Sequence, residues 1–252
     1  MKGLTYDLSL LNRSAAAWKR SAGLREMYAA LYREVNTHCV GDAVLELGSG
    51  IGVSREFLPK VVTTDIVKTE YVDRAMSAYD IERPAEQPKW SSIFAIDLLH
   101  HLREPMRFFE SASKQLATGG RIVLIEPAAT FGGNLFYKCF HHEPIRIRRV
   151  QPPFVFEANG RDGEFANMAM AEGMIKRHSG EFIRALEQYD LSLKLVQYRD
   201  VFAYPLSGGY SKPQFLPTGC LKAFLLFESL LPQFVLRRVG LRILVVLEKR
   251  SS

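Results

Sequence analysis

The stretch from Val44 to Val67, VLELGSGIGVSREFLPKVVTTDIV, gathers residue types that hold a small ligand. Glu46 precedes Gly48, Gly50 and Gly52, which recur at every second position with Ser49 between the first two. Glycine tolerates positive φ and lets a ligand approach the main chain, so such a turn reads as a cradle. A dinucleotide fingerprint would need its third glycine at position 53, which is Val53. It would also bind an anionic pyrophosphate, which the carboxylate of Glu46 would repel. Asp65 closes the next β-branched run, where an acid accepts hydrogen bonds from both hydroxyls of a ribose. A cationic, ribose-bearing ligand without phosphate describes S-adenosylmethionine and excludes NAD.

A second set of residues could move a proton. His100 and His101 follow a predicted strand, at the end where chemistry in such sheets occurs, and His141, His142 and Glu143 lie further on. Imidazole is the side chain suited to a base near neutral pH, so His101 and His142 are the candidate catalytic residues. Adjacent histidines point in different directions on a helix, which argues against His141 and His142 as metal ligands, and no metal is expected. Arg146, Arg148 and Arg149 read as a solvated face, or as a grip on a phosphate or carboxylate. The Gly208-Gly209 turn, followed by Tyr210, reads as a plain turn or as a loop that closes over a substrate.

These residues need a scaffold. Apolar and β-branched runs predict strands at 43–47, 61–64, 74–78, 92–96, 121–125, 191–198 and 241–248. Leu24, Met27, Tyr28, Leu31, Tyr32 and Val35 recur at helical spacing and form one apolar face. A second helix is predicted over 105–117, with Pro105 at its first turn, Phe109, Ala112 and Leu116 facing inward, and Gly119-Gly120 ending it. Strands alternating with helices predict a parallel sheet covered on both faces. The interval from Asp65 to Arg74 is too short for a full crossover helix. The apolar run at 219–235 reads as a core helix, with interfacial contact as the alternative.

The whole chain sets the bounds. Its 252 residues are 47% hydrophobic and 24% charged, an ordinary globular balance. Lys and Arg number 33 against 27 Asp and Glu, a mild basicity that permits an anionic partner without requiring one. Three cysteines without C-x-x-C spacing point to a reducing compartment and away from structural zinc. No signal peptide and no uninterrupted membrane-spanning run is seen, so a cytoplasmic protein, with peripheral membrane contact as an option, is expected.

Four stretches, VLELGSGIG, VVTTDI, IFAIDLLHHLREP and ATGGRIVLIEP, occur in an order and spacing that resemble the class I S-adenosylmethionine-dependent methyltransferases of the "type 11" small-molecule group. They cover about residues 40–127. The resemblance implies an α/β, Rossmann-like fold: a mostly parallel seven-stranded sheet with a reversed last strand, plus helical cap insertions. It implies that Glu46 and the backbone from Gly48 through Ser49 and Gly50 to Gly52 hold the methionine part of the cofactor. Asp65 would bind the ribose, Ile66 would pack on the adenine, Asp80 would approach its amine, and Asp97 and Leu98 would line the reactive end.

One methyltransferase domain is therefore expected, with an N-terminal helical cap at 1–36, a cofactor-binding half at 40–127 and substrate-side insertions at 128–190 and 203–240. The expected reaction is transfer of a methyl group to a small-molecule or lipid-linked acceptor, most simply at oxygen, the acceptor being greasy, anionic or both. Nucleic acid is the rival acceptor. Against it, no Asn-Pro-Pro-Tyr or Asp-Pro-Pro-Tyr follows the fourth strand; Asp97-Leu98-Leu99 stands there instead. The remaining rival is a non-catalytic protein that keeps the fold, against which the intact glycines, Glu46 and Asp65 argue.

Overall fold

The computed structural model describes residues 8–158 and 165–250. Its centre is a seven-stranded sheet of β1 (Val44–Leu47), β2 (Val61–Asp65), β3 (Arg74–Ala75), β4 (Trp90–Ile96), β5 (Leu116–Pro127), β6 (Leu191–Arg199) and β7 (Arg242–Lys249). The order is β3-β2-β1-β4-β5-β7-β6. Strands β1 to β5 run parallel, and β7 lies antiparallel between β5 and β6. The reversed last strand is thus present.

Both faces are covered, which is why β1, β4 and β7 read as apolar runs and not as alternations. One face places Leu45, Leu47, Ile93, Ile122, Leu124 and Val245 in a single core cluster. That core includes Phe108, Phe109 and Ala112 of α3 (Pro105–Gln115) and Phe182 and Leu186 of α6 (Ser179–Glu187). The opposite face, with Val44, Phe94, Val123 and Leu244, packs beneath α1 (Leu8–Arg20) and α2 (Ala22–His38). All six residues of the predicted apolar face of α2 are buried, and Ser21 caps its start by accepting from the Leu24 amide at 3.1 Å.

Three expectations change. The predicted helix over 105–117 stops at Gln115, because Leu116 already pairs with Trp90 and opens β5; Leu116 is buried as a strand residue. The strand expected over 74–78 is only Arg74–Ala75, and the short link from β2 to it carries no helix. The apolar run at 219–235 is two helices, α8 (Thr218–Ser229) and α9 (Gln233–Val239), bent by 118° where Pro232 cannot continue the first. It is not core. Leu226, Phe227, Leu230 and Phe234 are all exposed.

The remaining helices lie at the carboxyl ends of the strands. They are α4 (Phe131–Phe140), the short α5 (Met170–Glu172) that runs into a π turn at Gly173–Arg177, and α7 (Ala203–Leu206). Among the described residues no single helix is long and apolar enough to cross a membrane.

Candidate active site

The strand order reverses between β1 and β4, and in open α/β sheets ligands bind outside the carboxyl ends there. A cavity of about 610 Å³ opens at this point, within the roughly 300–1,000 Å³ of small-molecule sites. Its floor is Leu47 and Gly48, one wall is Asp65, Ile66, Met76, Ser77, Ala78 and Tyr79, and the other is Leu98, His101, His142 and Glu143.

The glycine turn is made by backbone conformation. Gly48, Gly50 and Gly52 all take positive φ. At Gly52 a Cβ would stand 2.1 Å from the Tyr71 carbonyl oxygen, so no other residue fits without moving the chain. Asp65 ties this turn to β2: its Oδ2 accepts from the Gly50 amide at 2.9 Å and its Oδ1 from the Ile66 amide at 2.7 Å. A carboxylate has about four acceptor positions, so these two hydrogen bonds do not exhaust it. Ile66 is half exposed beside it and lines the cavity wall.

Glu46, Ser49 and Asp80 are among the expected cofactor residues that do not line this cavity. Glu46 does not border the cavity: on β1 it alternates away from Leu47 and faces α2. There it is buried, accepting from the Ser54 hydroxyl at 2.5 Å and from the Tyr32 hydroxyl at 3.2 Å. Burial raises its pKa, and these hydrogen bonds oppose the rise. It braces the turn from beneath. Ser49 likewise stitches β1 to β2, its amide donating to Thr64 O at 2.8 Å and its hydroxyl accepting from the Thr64 amide at 3.0 Å. Asp80 faces a separate surface cavity with Arg107 and Lys114, and the wall position falls to Ser77, Ala78 and Tyr79. The Tyr79 hydroxyl accepts from the Glu104 amide at 3.2 Å, which fixes the ring.

The other side of the cavity is built from side chains. Asp97, at φ 54°, swings its carboxylate onto the buried Arg242 of β7, 2.7 Å away. Asp200, also at positive φ, approaches the same guanidinium at 3.7 Å. Burial raises the pKa of Asp97, against the pull of Arg242. Arg242 Nη1 and Asp200 Oδ2 are buried without a hydrogen bond, so this pair is imperfectly satisfied. The sequence offered one sign of Arg242: a charged residue opening an otherwise apolar, central strand is rarely there for packing.

Glu126, at the end of β5, is fully buried and accepts from the amides of Leu98 at 2.8 Å and Leu99 at 2.7 Å. Its other oxygen lies 2.7 Å from His100 Nδ1. On the far side of that ring Glu143 Oε2 stands 3.4 Å from His100 Nε2, and Glu143 Oε1 is 3.8 Å from His101 Nε2. His141 Nδ1 is 4.0 Å from the same carboxylate. Burial disfavours the His100 cation, but the two carboxylates outweigh it and hold the imidazole up at about 10. Burial would raise Glu143, yet the histidines bring it down to about 2. His101 is lowered, first by burial and then by the charge of His100.

Of the two expected bases, His101 is tied, to Glu143 and to the Phe165 carbonyl at 3.3 Å, while His142 is exposed and stacks on His141. A second, polar cavity of about 140 Å³ shares His101 and Glu143 with the first and reaches Asp97, Tyr137, Tyr204 and Arg242. The arginines of 146–149 line a third, of about 380 Å³, which adjoins the first at Phe165.

Comparison with known proteins agrees with this fold. The family described as Methyltransferase domain matches residues 17–193. No curated protein matches the chain. A geranyl diphosphate methyltransferase in complex with SAM is 15% identical, covering 98% of this chain and 93% of that one with a TM-score of 0.52. The [4+2]-cyclase SpnF is 12% identical over 89% of this chain and 82% of its own, TM-score 0.51. An S-adenosylmethionine-dependent methyltransferase from Mesorhizobium loti is 12% identical over 87% and 97%, TM-score 0.49. At such identities the likeness is one of fold, and a cyclase on the same scaffold shows that the fold alone does not choose the chemistry.

Proposed function

We infer, because the chain belongs to the Methyltransferase domain family, that its polar second cavity receives the acceptor of a methyl group and that the acceptor atom is oxygen. The chain is a class I S-adenosylmethionine-dependent methyltransferase, and its residues fit that cofactor. Asp65 keeps acceptor positions for the ribose, Ile66 and Tyr79 flank the place of the adenine, and Gly48 leaves room for the methionine part. When bound, S-adenosylmethionine supplies a methyl carbon that accepts an oxygen lone pair as its bond to sulfur breaks.

The observation that carries the oxygen reading is the wall shared by the two cavities. His101 and Glu143 stand on it, and His142 lines the cofactor side. A hydroxyl held there has polar partners to align it and an imidazole to take its proton. We assign the proton to His142, which lines the cofactor cavity, is open to solvent and can pass it on, whereas His101 hydrogen-bonds to the Phe165 carbonyl. Alignment of such a pair is worth about 7–11 kcal/mol, and the base a further factor of roughly 10²–10⁴.

The exposed faces of α4, α8 and α9 support an amphipathic acceptor. Phe131, Leu135 and Phe140 project from α4, and Leu226, Phe227, Leu230 and Phe234 from α8 and α9, with Arg237 and Arg238 in the last turn of α9. Tyr137 of the same α4 lines the acceptor cavity, so one helix links the apolar surface to the chemistry. Screening acceptors with methyl-labelled cofactor tests the reading: labelled ethers or esters of amphipathic hydroxyl compounds are expected, with His142→Ala slower by roughly 10² or more. Label found exclusively on nitrogen or carbon, or an unchanged rate in His142→Ala, would sink it.

A further inference from the structure

We propose that His100, His101 and Glu143 bind a divalent transition-metal ion on the wall between the cofactor and acceptor cavities. The ligand atoms of these three residues lie within 4.8 Å of one another. Their spacing decides between an ion site and a hydrogen-bonded cluster. Glu143 Oε2 is 3.4 Å from His100 Nε2, and Oε1 is 3.8 Å from His101 Nε2. Those distances are long for hydrogen bonds, and Glu143 Oε2 is buried without one. Two ligand atoms about 2.1 Å from a tetrahedral ion stand roughly 3.4 Å apart; the His100–Glu143 spacing is 3.4 Å and the His101–Glu143 spacing 3.8 Å.

The outer partners fit as well. Metal-binding histidines give their other ring nitrogen to a carboxylate or a carbonyl, which fixes the tautomer. His100 Nδ1 meets Glu126 at 2.7 Å, and His101 Nδ1 meets the Phe165 carbonyl at 3.3 Å. Both rings therefore direct Nε2 toward Glu143. His141 Nδ1, 4.0 Å from Glu143, is placed to approach as a further donor.

Charge points the same way. Glu126, Glu143, Asp97 and Asp200 bring four carboxylates to this wall, against the guanidiniums of Arg242 and Arg199. Two imidazoles and one carboxylate suit zinc, iron or manganese better than magnesium or calcium. The ion's other positions face the acceptor cavity, where a bound hydroxyl would ionise more readily, as metal-bound water does. That consequence rests on the methyl-transfer reading; the binding of the ion does not.

The test is titration of the full-length, chelator-treated protein with Co²⁺, reading visible d–d absorption, with bound metal counted by mass spectrometry after Zn²⁺ loading. One ion per chain is expected, bound at micromolar concentration or tighter. Glu143→Gln and, separately, His101→Ala should weaken it at least tenfold with the circular dichroism unchanged. The half-exposed His101 keeps the test usable if Glu143→Gln fails to fold. Absence of bands and of retained metal in wild type, or equal binding by His101→Ala, overturns the proposal. Calorimetry with S-adenosylmethionine in chelator separates the two readings: cofactor binding without metal binding leaves the methyltransferase standing and removes only the ion.

Discussion

The two sides of the central cavity are made of different material. On the proposed cofactor side the contacts belong mainly to the backbone: three glycines at positive φ and two amides that orient Asp65, beside a half-exposed Ile66. On the acceptor side they belong to side chains, and most are charged: Asp97 and Asp200 around Arg242, and Glu126 and Glu143 around His100. The first side is nearly neutral apart from one carboxylate and is stitched by hydrogen bonds within about twenty residues of chain. The second is assembled from β4, β5, β7 and the segment after α4, and its charges are balanced only when all are in place. A backbone cradle can be damaged locally, whereas a buried charge cluster fails as a whole.

Arg242 gives the largest break. Arg242→Met leaves Asp97 and Asp200 without their common partner, and removing one member of a buried pair costs about 3–5 kcal/mol. Denaturant unfolding should show that loss, and a change under about 1 kcal/mol would mean the acceptor side does not depend on this guanidinium. Asp65→Ala separates the sides differently. Calorimetry should find S-adenosylmethionine bound roughly 100-fold more weakly, because hydrogen bonds to a charged acceptor contribute about 1.5–3 kcal/mol each. The unfolding midpoint should move little. If affinity holds, the ribose lies elsewhere in the cavity.

A third variant leaves both sides intact and tests what lies outside them. Leu230 is 75% exposed and Phe234 65%. The pair Leu230→Glu with Phe234→Glu should alter stability by no more than about 0.5 kcal/mol per site, as surface changes do. Cofactor affinity should be unchanged. Flotation with anionic vesicles should show wild type bound and the double variant released; equal behaviour of the two would assign this apolar face some other role.

The glycine-turn side was legible in the sequence because its geometry depends on local rules. Glycine spacing, the acid that ends β2 and the β-branched runs act within one strand-turn-strand unit, and physical chemistry reads them without knowing what packs against them. The reversed last strand was legible through resemblance, from the order of four short motifs. Even on this side, strand alternation hid one fact: Glu46 faces α2 and braces the turn, because neighbours on a strand point to opposite faces. The run at 219–235 read as one helix despite Pro232; neither its break nor the exposure of Leu226, Phe227, Leu230 and Phe234 was foreseen.

The acceptor side was decided by the tertiary structure. Read along the chain, His141-His142-Glu143 looked like one cluster and His100-His101 like another, and neighbouring histidines diverge too far to act together. Folding reassorts them. Glu143 crosses to His100 and His101, over forty residues away, while Glu126 closes on His100 from β5 and Arg242 reaches Asp97 from the end of the chain. No local periodicity encodes these meetings, because they follow from which strand lies beside which. Residue types determined what chemistry the chain is able to do, and sheet order determined which of those residues do it together.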